Sequence, residues 1–282
     1  MTSLGVVFLP DLPPERLRDV VRAADDAGLD DLWLWEDCFK ESGIAAAAAA
    51  LAWSTRIRVG VGILPAPLRN VVVTAMEIAT LERLFPGRPR IGIGHGVLDW
   101  MGQVGVRAES PMTLLREHVA AVRALLAGER VSVDGRYVKL DDVGLEWVPS
   151  HRPELLVGAI GERTLKLSGE LADGTILTGG TSPQQVMEKK RLVGDDANHI
   201  VVYLHAATGP GATARMAAEG RRWGYDNVDD VSVVGDAVAL AAGAQTWIDA
   251  GADTVVFQPT PDDPDLEGFI RLIGEQVRPL IG

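Results

Sequence analysis

Cysteine occurs once, at Cys38, which excludes an internal disulfide and is compatible with a reducing compartment. Aromatic residues make up 5% of the chain, and no apolar run approaches the roughly 20 residues needed to span a bilayer. The alanine run Ala45–Ala50 is too short and too weakly hydrophobic to do so and reads as a packed helix. No basic-then-apolar leader opens the sequence, so a cytoplasmic protein is expected. Positive charge is also scarce. Twenty-seven Lys+Arg against 39 Asp+Glu give a formal net charge of −12, which argues against a nucleic-acid or anionic-membrane surface. Several catalytic signatures are missing as well. There is no His-Glu-x-x-His and no cysteine cluster for zinc, no Gly-x-Ser-x-Gly elbow and no Walker loop. No lysine falls squarely on a strand end, which counts against Schiff-base chemistry.

What is present is a regular alternation. Hydrophobic residues make up 47% of the 282, enough for a sizeable core. Short β-branched runs read as buried strands at Leu4–Leu9, Leu32–Trp35, Ile57–Leu64, Arg90–Gly94, Leu155–Ala159, Thr175–Leu177, Ile200–His205 and Thr254–Phe257. Helical patterns follow each of them, with start signals at Ser42, Asn70, Pro183 and Asp236. Strand-then-helix repetition at this length points to a (β/α)8 barrel, with a doubly wound open sheet as the alternative. Val131–Val133, Asp134-Gly135 and Tyr137–Leu140 form a β-hairpin excursion between the fourth helix and the fifth strand. Residues 1–282 are expected to form a single domain.

The most distinctive stretch is Arg90–Trp100, RIGIGHGVLDW. Glycines alternating with isoleucines suit a buried strand whose backbone something planar or bulky approaches closely. A dinucleotide fingerprint is excluded, because no helical pattern resumes before Ser110 where that motif needs a helix at its third glycine. Barrel sites lie at the C-terminal strand ends. Those ends here are Leu9-Pro10, Glu36-Asp37, Gly62-Ile63-Leu64, His95-Gly96, Ala159-Ile160-Gly161, Thr178-Gly179-Gly180, His205 and Gln258. Glycines, a nearby tryptophan pair (Trp35, Trp100) and two carboxylates suit a flat heteroaromatic ligand better than a metal ion or a sugar. His95, Asp37 and Glu36 are the candidate catalytic groups, and amides at Gly179-Gly180 ahead of a helix suit a phosphate. His118 and His151 read as surface residues, and His199 lies at the opposite end of its strand.

GVGILPAPLRN, AMEIATLERLFPGR and RIGIGHGVLDW together resemble the third and fourth strands of the bacterial luciferase-like superfamily. GELADGTILTGG resembles its sixth-strand segment and GADTVVFQP its eighth. The resemblance implies a barrel carrying a flavin-type ring across its strand ends, and often a homodimer. It places a non-proline cis peptide at Gly62-Ile63 behind the ring, with Leu64, His95 and Gly96 beside it and Asp37 at its polar edge. Ala159, Ile160, Gly161, Thr178, Gly179 and Gly180 then lie near the cofactor's side chain and phosphate. Some sugar-phosphate-oxidising members carry a glutamate where this chain has Val97, so their proton-transfer scheme cannot simply be copied. The implied function is hydride transfer between coenzyme F420, a deazaflavin, and a small organic substrate. His95, whose imidazole exchanges protons near neutrality, is expected to be proton donor or hydrogen-bond donor to that substrate. An FMN-dependent monooxygenase and a non-catalytic flavin-binding protein are the alternatives. The deazaflavin's anionic tail needs local cations to offset the chain's negative charge, and Arg69, Arg163, Lys166, Lys189, Lys190 and Arg191 are the candidates.

Overall fold

The structure, a computed structural model, describes residues 2–281. Eleven strands run in chain order as β1 (Ser3–Phe8), β2 (Asp31–Leu34), β3 (Arg58–Pro65), β4 (Pro89–Gly94), β5 (Val131–Asp134), β6 (Lys139–Val143), β7 (Leu155–Gly158), β8 (Gly174–Leu177), β9 (His199–Ala207), β10 (Ser232–Val234) and β11 (Thr254–Gln258). The order β9-β11-β1-β2-β3-β4-β7-β8, with β8 returning to β9, closes a parallel eight-stranded (β/α)8 barrel. β5 and β6 form the expected hairpin apart from it, and Glu117 accepts the Arg136, Tyr137 and Val138 amides at 2.8–2.9 Å to hold its turn. β10 pairs with the far end of β9 and has no counterpart among the strands read from the sequence.

The helices start where capping chemistry allows. Asn70 accepts the Val72 amide at 2.9 Å, Asp236 accepts that of Ala239 at 3.0 Å, and Ser182 with Gln185 forms a full capping box. Two expectations change. A short helix, Leu98–Gln103, occupies part of the segment read as loop before Ser110. His118 is buried, 2% exposed, with Nε2 3.2 Å from Thr74 Oγ1. It shares the inward stripe of helix Pro111–Leu126 with Leu115, Val119 and Val122, a periodicity that outweighs the polar side chain.

The barrel interior is layered. At the N-terminal end Arg58 Nη2 lies 2.8 Å from Asp31 Oδ2, and Arg90 Nε lies 2.6 Å from Glu154 Oε2. Arg90 Nη1 donates to Thr254 Oγ1 at 3.3 Å, and His199 meets the same oxygen at 2.7 Å. Above this plug the Arg90 guanidinium sits 5.4 Å from the Trp33 ring, which packs with Leu156, Ile176, Val201, Tyr203 and Val256. A Cβ at Gly60 would lie 2.4 Å from that ring, so the glycine makes room for Trp33. Everything above this layer belongs to the open end.

Candidate active site

The rim is built on an irregularity in β3. Its register with β4 shifts between Val61 and Leu64, and the Gly62–Ile63 peptide is cis. The bulge turns the Ile63 side chain sideways across β4 and β7. Cβ atoms built at Gly92, Gly94 and Gly158 would lie 3.2, 3.0 and 2.6 Å from Ile63 side-chain atoms. Gly92 also faces Ile176 Cδ1, at 2.4 Å from the same imagined Cβ. The bulky group that approaches the glycine-bearing strand is therefore supplied by the chain itself. Gly62 is constrained from the other side, where the Tyr203 hydroxyl would be 2.3 Å from a Cβ. That hydroxyl is buried without a hydrogen-bond partner among the described residues, and burial pushes its pKa up. Trp35 stands edge-on to Tyr203 at 5.5 Å between ring centroids. Leu64 is 1% exposed and points into the outer core, so only its backbone reaches the rim.

The acidic pair at the end of β2 divides into two environments. Glu36 is clamped by Arg69, through Nη1 and through Nη2 at 2.7 Å, and accepts the Gly43 amide at 2.7 Å. Arg69 is further engaged by Glu77 at 3.1 Å. Asp37 has no side-chain partner among the described residues. Burial raises its pKa, against the opposing charge of Lys40. His95 turns toward helix Glu162–Leu171, with Nε2 3.1 Å from Thr164 Oγ1 and Nδ1 enclosed without a partner. Burial lowers its pKa, opposed by the Pro111 carbonyl. Gly96, at φ +68°, packs against Pro65 and Met101.

The opposite side of the rim is formed by the turn after β8. Among the described residues, neither the Gly179 nor the Gly180 amide has an acceptor. A Cβ at Gly179 would lie 2.9 Å from both Gln258 Oε1 and His205 Nε2, so these buried side chains press against the turn. Gln258 Oε1 is itself unpartnered. Tyr225 covers Gly180 and meets His205 Nε2 at 3.1 Å. Burial lowers the His205 pKa to about 4 and pushes Tyr225 up to about 12. Ala159 is buried, its amide bonded to the Ile176 carbonyl at 3.1 Å, whereas Ile160 is 68% exposed and Gly161 caps the following helix.

A family model described as luciferase-like monooxygenase matches residues 3–199, more than half of the chain. The chain belongs to this luciferase-like family. A 5,10-methylenetetrahydromethanopterin reductase from Methanolobus tindarius is 27% identical over 72% of this chain and 64% of that protein. An F420-dependent glucose-6-phosphate dehydrogenase from Kineococcus radiotolerans is 32% identical over 59% of this chain and 53% of that protein. The aligned region thus spans between half and two thirds of these relatives' length. The solved coenzyme F420 dependent tetrahydromethanopterin reductase from Methanopyrus kandleri superposes with a TM-score of 0.83 at 22% identity, covering 100% of this chain and 99% of that one. That likeness concerns the fold.

In this luciferase-like barrel the mouth holds four polar side chains that strand-end reading left unassigned: Tyr203, His205, Gln258 and Tyr225. The first three recur every second residue or end a strand, a usable signal. Tyr225 lies on the loop after helix Ala212–Trp223 and carried none. Of the cations considered for an anionic tail, Arg69 is committed to Glu36 and Glu77, Lys166 to Glu162 and Lys190 to the Gly251 carbonyl. Lys189 has no carboxylate partner among the described residues. It reaches back to Thr181 Oγ1 at 3.4 Å, and burial lowers its pKa. Arg163 lines an outer groove with Arg116 and Lys166.

Proposed function

We propose that the protein is a hydride-transfer oxidoreductase using coenzyme F420 and a small organic substrate. The observation that carries this reading is the Ile63 wall with its glycine neighbours, set between Asp37 and the turn at Gly179–Gly180. A flat apolar face, free amides opposite it and an uncompensated lysine behind those amides suit a ring bearing a phosphorylated side chain. When bound, the deazaflavin would accept or deliver the hydride, and the protein supplies orientation and electrostatics. Ile63 and the Gly62–Ile63 backbone would support one face of the ring, with Asp37 at its polar edge. Thr178, Gly179 and Gly180 would hold the phosphate, with Ala159, Ile160 and Gly161 along the side chain. The raised pKa of Asp37 and its lack of a partner suit a proton-handling role on its carboxyl oxygen. His95, tied to Thr164, is placed to fix the loop after β4, and Glu36 to fix the segment it shares with Arg69.

Titration of the apo-protein with F420 and with FMN, at low and high salt, tests the reading. F420 binding that weakens with salt supports it, because its anionic tail adds a screened contribution. Micromolar FMN affinity without detectable F420 binding would instead favour a luciferase-like monooxygenase, and binding without turnover a non-catalytic protein. A homodimer also belongs to this reading. Val73, Met76 and Leu84 are 46%, 54% and 65% exposed and share one stripe of helix Val71–Leu84. Met76→Glu is expected to convert a dimer to monomers in sedimentation velocity. Among the described residues no helix is long and apolar enough to cross a membrane, and a cytoplasmic setting is part of the same proposal.

A further inference from the structure

Between the loop after β2 and the segment following β3, and sharing Asp37 with the proposed ring site, lies a cavity of about 400 Å³. That is within the size range of small-molecule pockets. Its lining includes Phe39, Leu68, Asp37, Glu41, Lys40 and Arg69. The charges in this wall are unequal in availability. Arg69 is held by Glu36 and Glu77, and Lys40 Nζ lies 2.9 Å from Asp11. Asp11 also takes Arg222 at 2.9 Å, which ties the loops after β1 and β2 to helix Ala212–Trp223. Both cations are therefore spent on carboxylates of the chain. The carboxyls are not. Among the described residues Asp37 has no side-chain partner, and Glu41 Oε1 is buried with no hydrogen-bond partner. Cys38, Ser42, Leu68 and Phe39 complete the lining, and Phe39 is 66% exposed.

A buried carboxyl oxygen without a donor carries a desolvation cost that a ligand supplying a donor or a positive charge removes. An anion entering the same space would meet two uncommitted carboxyls and no free cation. We propose that this cavity is the substrate subsite, and that it takes an apolar molecule that is neutral or positively charged, held through Glu41. The inference rests on the oxidoreductase reading of the mouth and names the substrate class for it. It separates this chain from an enzyme for sugar phosphates, whose anionic group would need one of the cations already engaged.

The test uses three ring compounds of similar size and different charge, cyclohexylamine, cyclohexanone and cyclohexanecarboxylate. Binding to the apo-protein at neutral pH is measured by calorimetry or by protein chemical-shift changes, so the outcome does not depend on the deazaflavin titration. Cyclohexylamine is expected to bind at least ~10-fold more tightly than cyclohexanecarboxylate, with cyclohexanone between them. Glu41→Gln should weaken the amine ~5- to 10-fold and leave the ketone within ~2-fold, because the amide keeps the shape and loses the charge. Phe39→Ser should weaken all three, which assigns the binding to this cavity. Equal or tighter binding of the carboxylate, unchanged amine affinity in Glu41→Gln, or binding of none of the three would overturn the proposal.

Discussion

The most exposed consequence of the rim geometry concerns Gly158. An alanine there brings a Cβ to 2.6 Å from Ile63 Cγ2, about 1 Å inside the contact distance of two carbons. Overpacking of this kind costs roughly 1–3 kcal/mol. Replacing glycine by alanine where the backbone permits it contributes about 0.4–1 kcal/mol in the other direction, by restricting the unfolded chain. Gly158 lies in ordinary strand conformation within β7, so both effects apply. The clash is the larger, and Gly158→Ala should destabilise the protein by about 1–2 kcal/mol. In an Ile63→Ala background the obstructing methyl is gone. Only the unfolded-state effect then remains, so the same substitution should become neutral or stabilising by up to about 1 kcal/mol. Urea unfolding of the four proteins of this cycle, followed by tryptophan fluorescence and far-UV dichroism, reads the change of sign. Equal destabilisation in both backgrounds would mean that Ile63 does not fill the space above Gly158.

Acid should destabilise the fold through two buried histidines. His118 and His205 both drop from an ordinary value near 6.5 to about 4, so the unfolded chain binds the extra protons between those values. Stability is complete above pH 6.5 and falls toward pH 4, by about 3 kcal/mol per histidine at the lower limit. His118→Gln should remove its share of that slope in urea titrations from pH 7 to 4.5. At the barrel floor, Arg90→Met leaves Glu154 without its partner and Asp31 with Arg58 alone, and should cost about 3–5 kcal/mol in the same assay. A value under 1 kcal/mol would show the plug to be solvated. In the hairpin, Glu117→Ala removes the acceptor of three backbone amides. Amide exchange at 136–138 should accelerate while that of β4 is unchanged.

The barrel was legible because a buried parallel strand and an amphipathic helix leave different periodicities, and short strands such as Thr175–Leu177 were bounded by glycine. β10 was not, because Ser232–Val234 has three residues and pairs along one edge only. The importance of the glycines in RIGIGHG was legible, whereas their partner was not. Nothing local announces that an isoleucine from the neighbouring strand will lie across them, since that depends on the bulge in β3 and on strand register. Asp37 and Glu36 look alike in sequence. Their separation into a free and a clamped carboxyl arises from Arg69, 33 positions beyond Glu36. His95 stands legibly at a strand end, whereas its orientation toward Thr164 follows from where helix Glu162–Leu171 docks.

The charged floor of the barrel has a kinetic consequence. Asp31, Arg58, Arg90, Glu154 and Trp33 close the lower end, so the interior has one door. On the reading proposed above, a ring bound against Ile63 would enter and leave through the strand-end mouth, and a substrate would approach it from that same side.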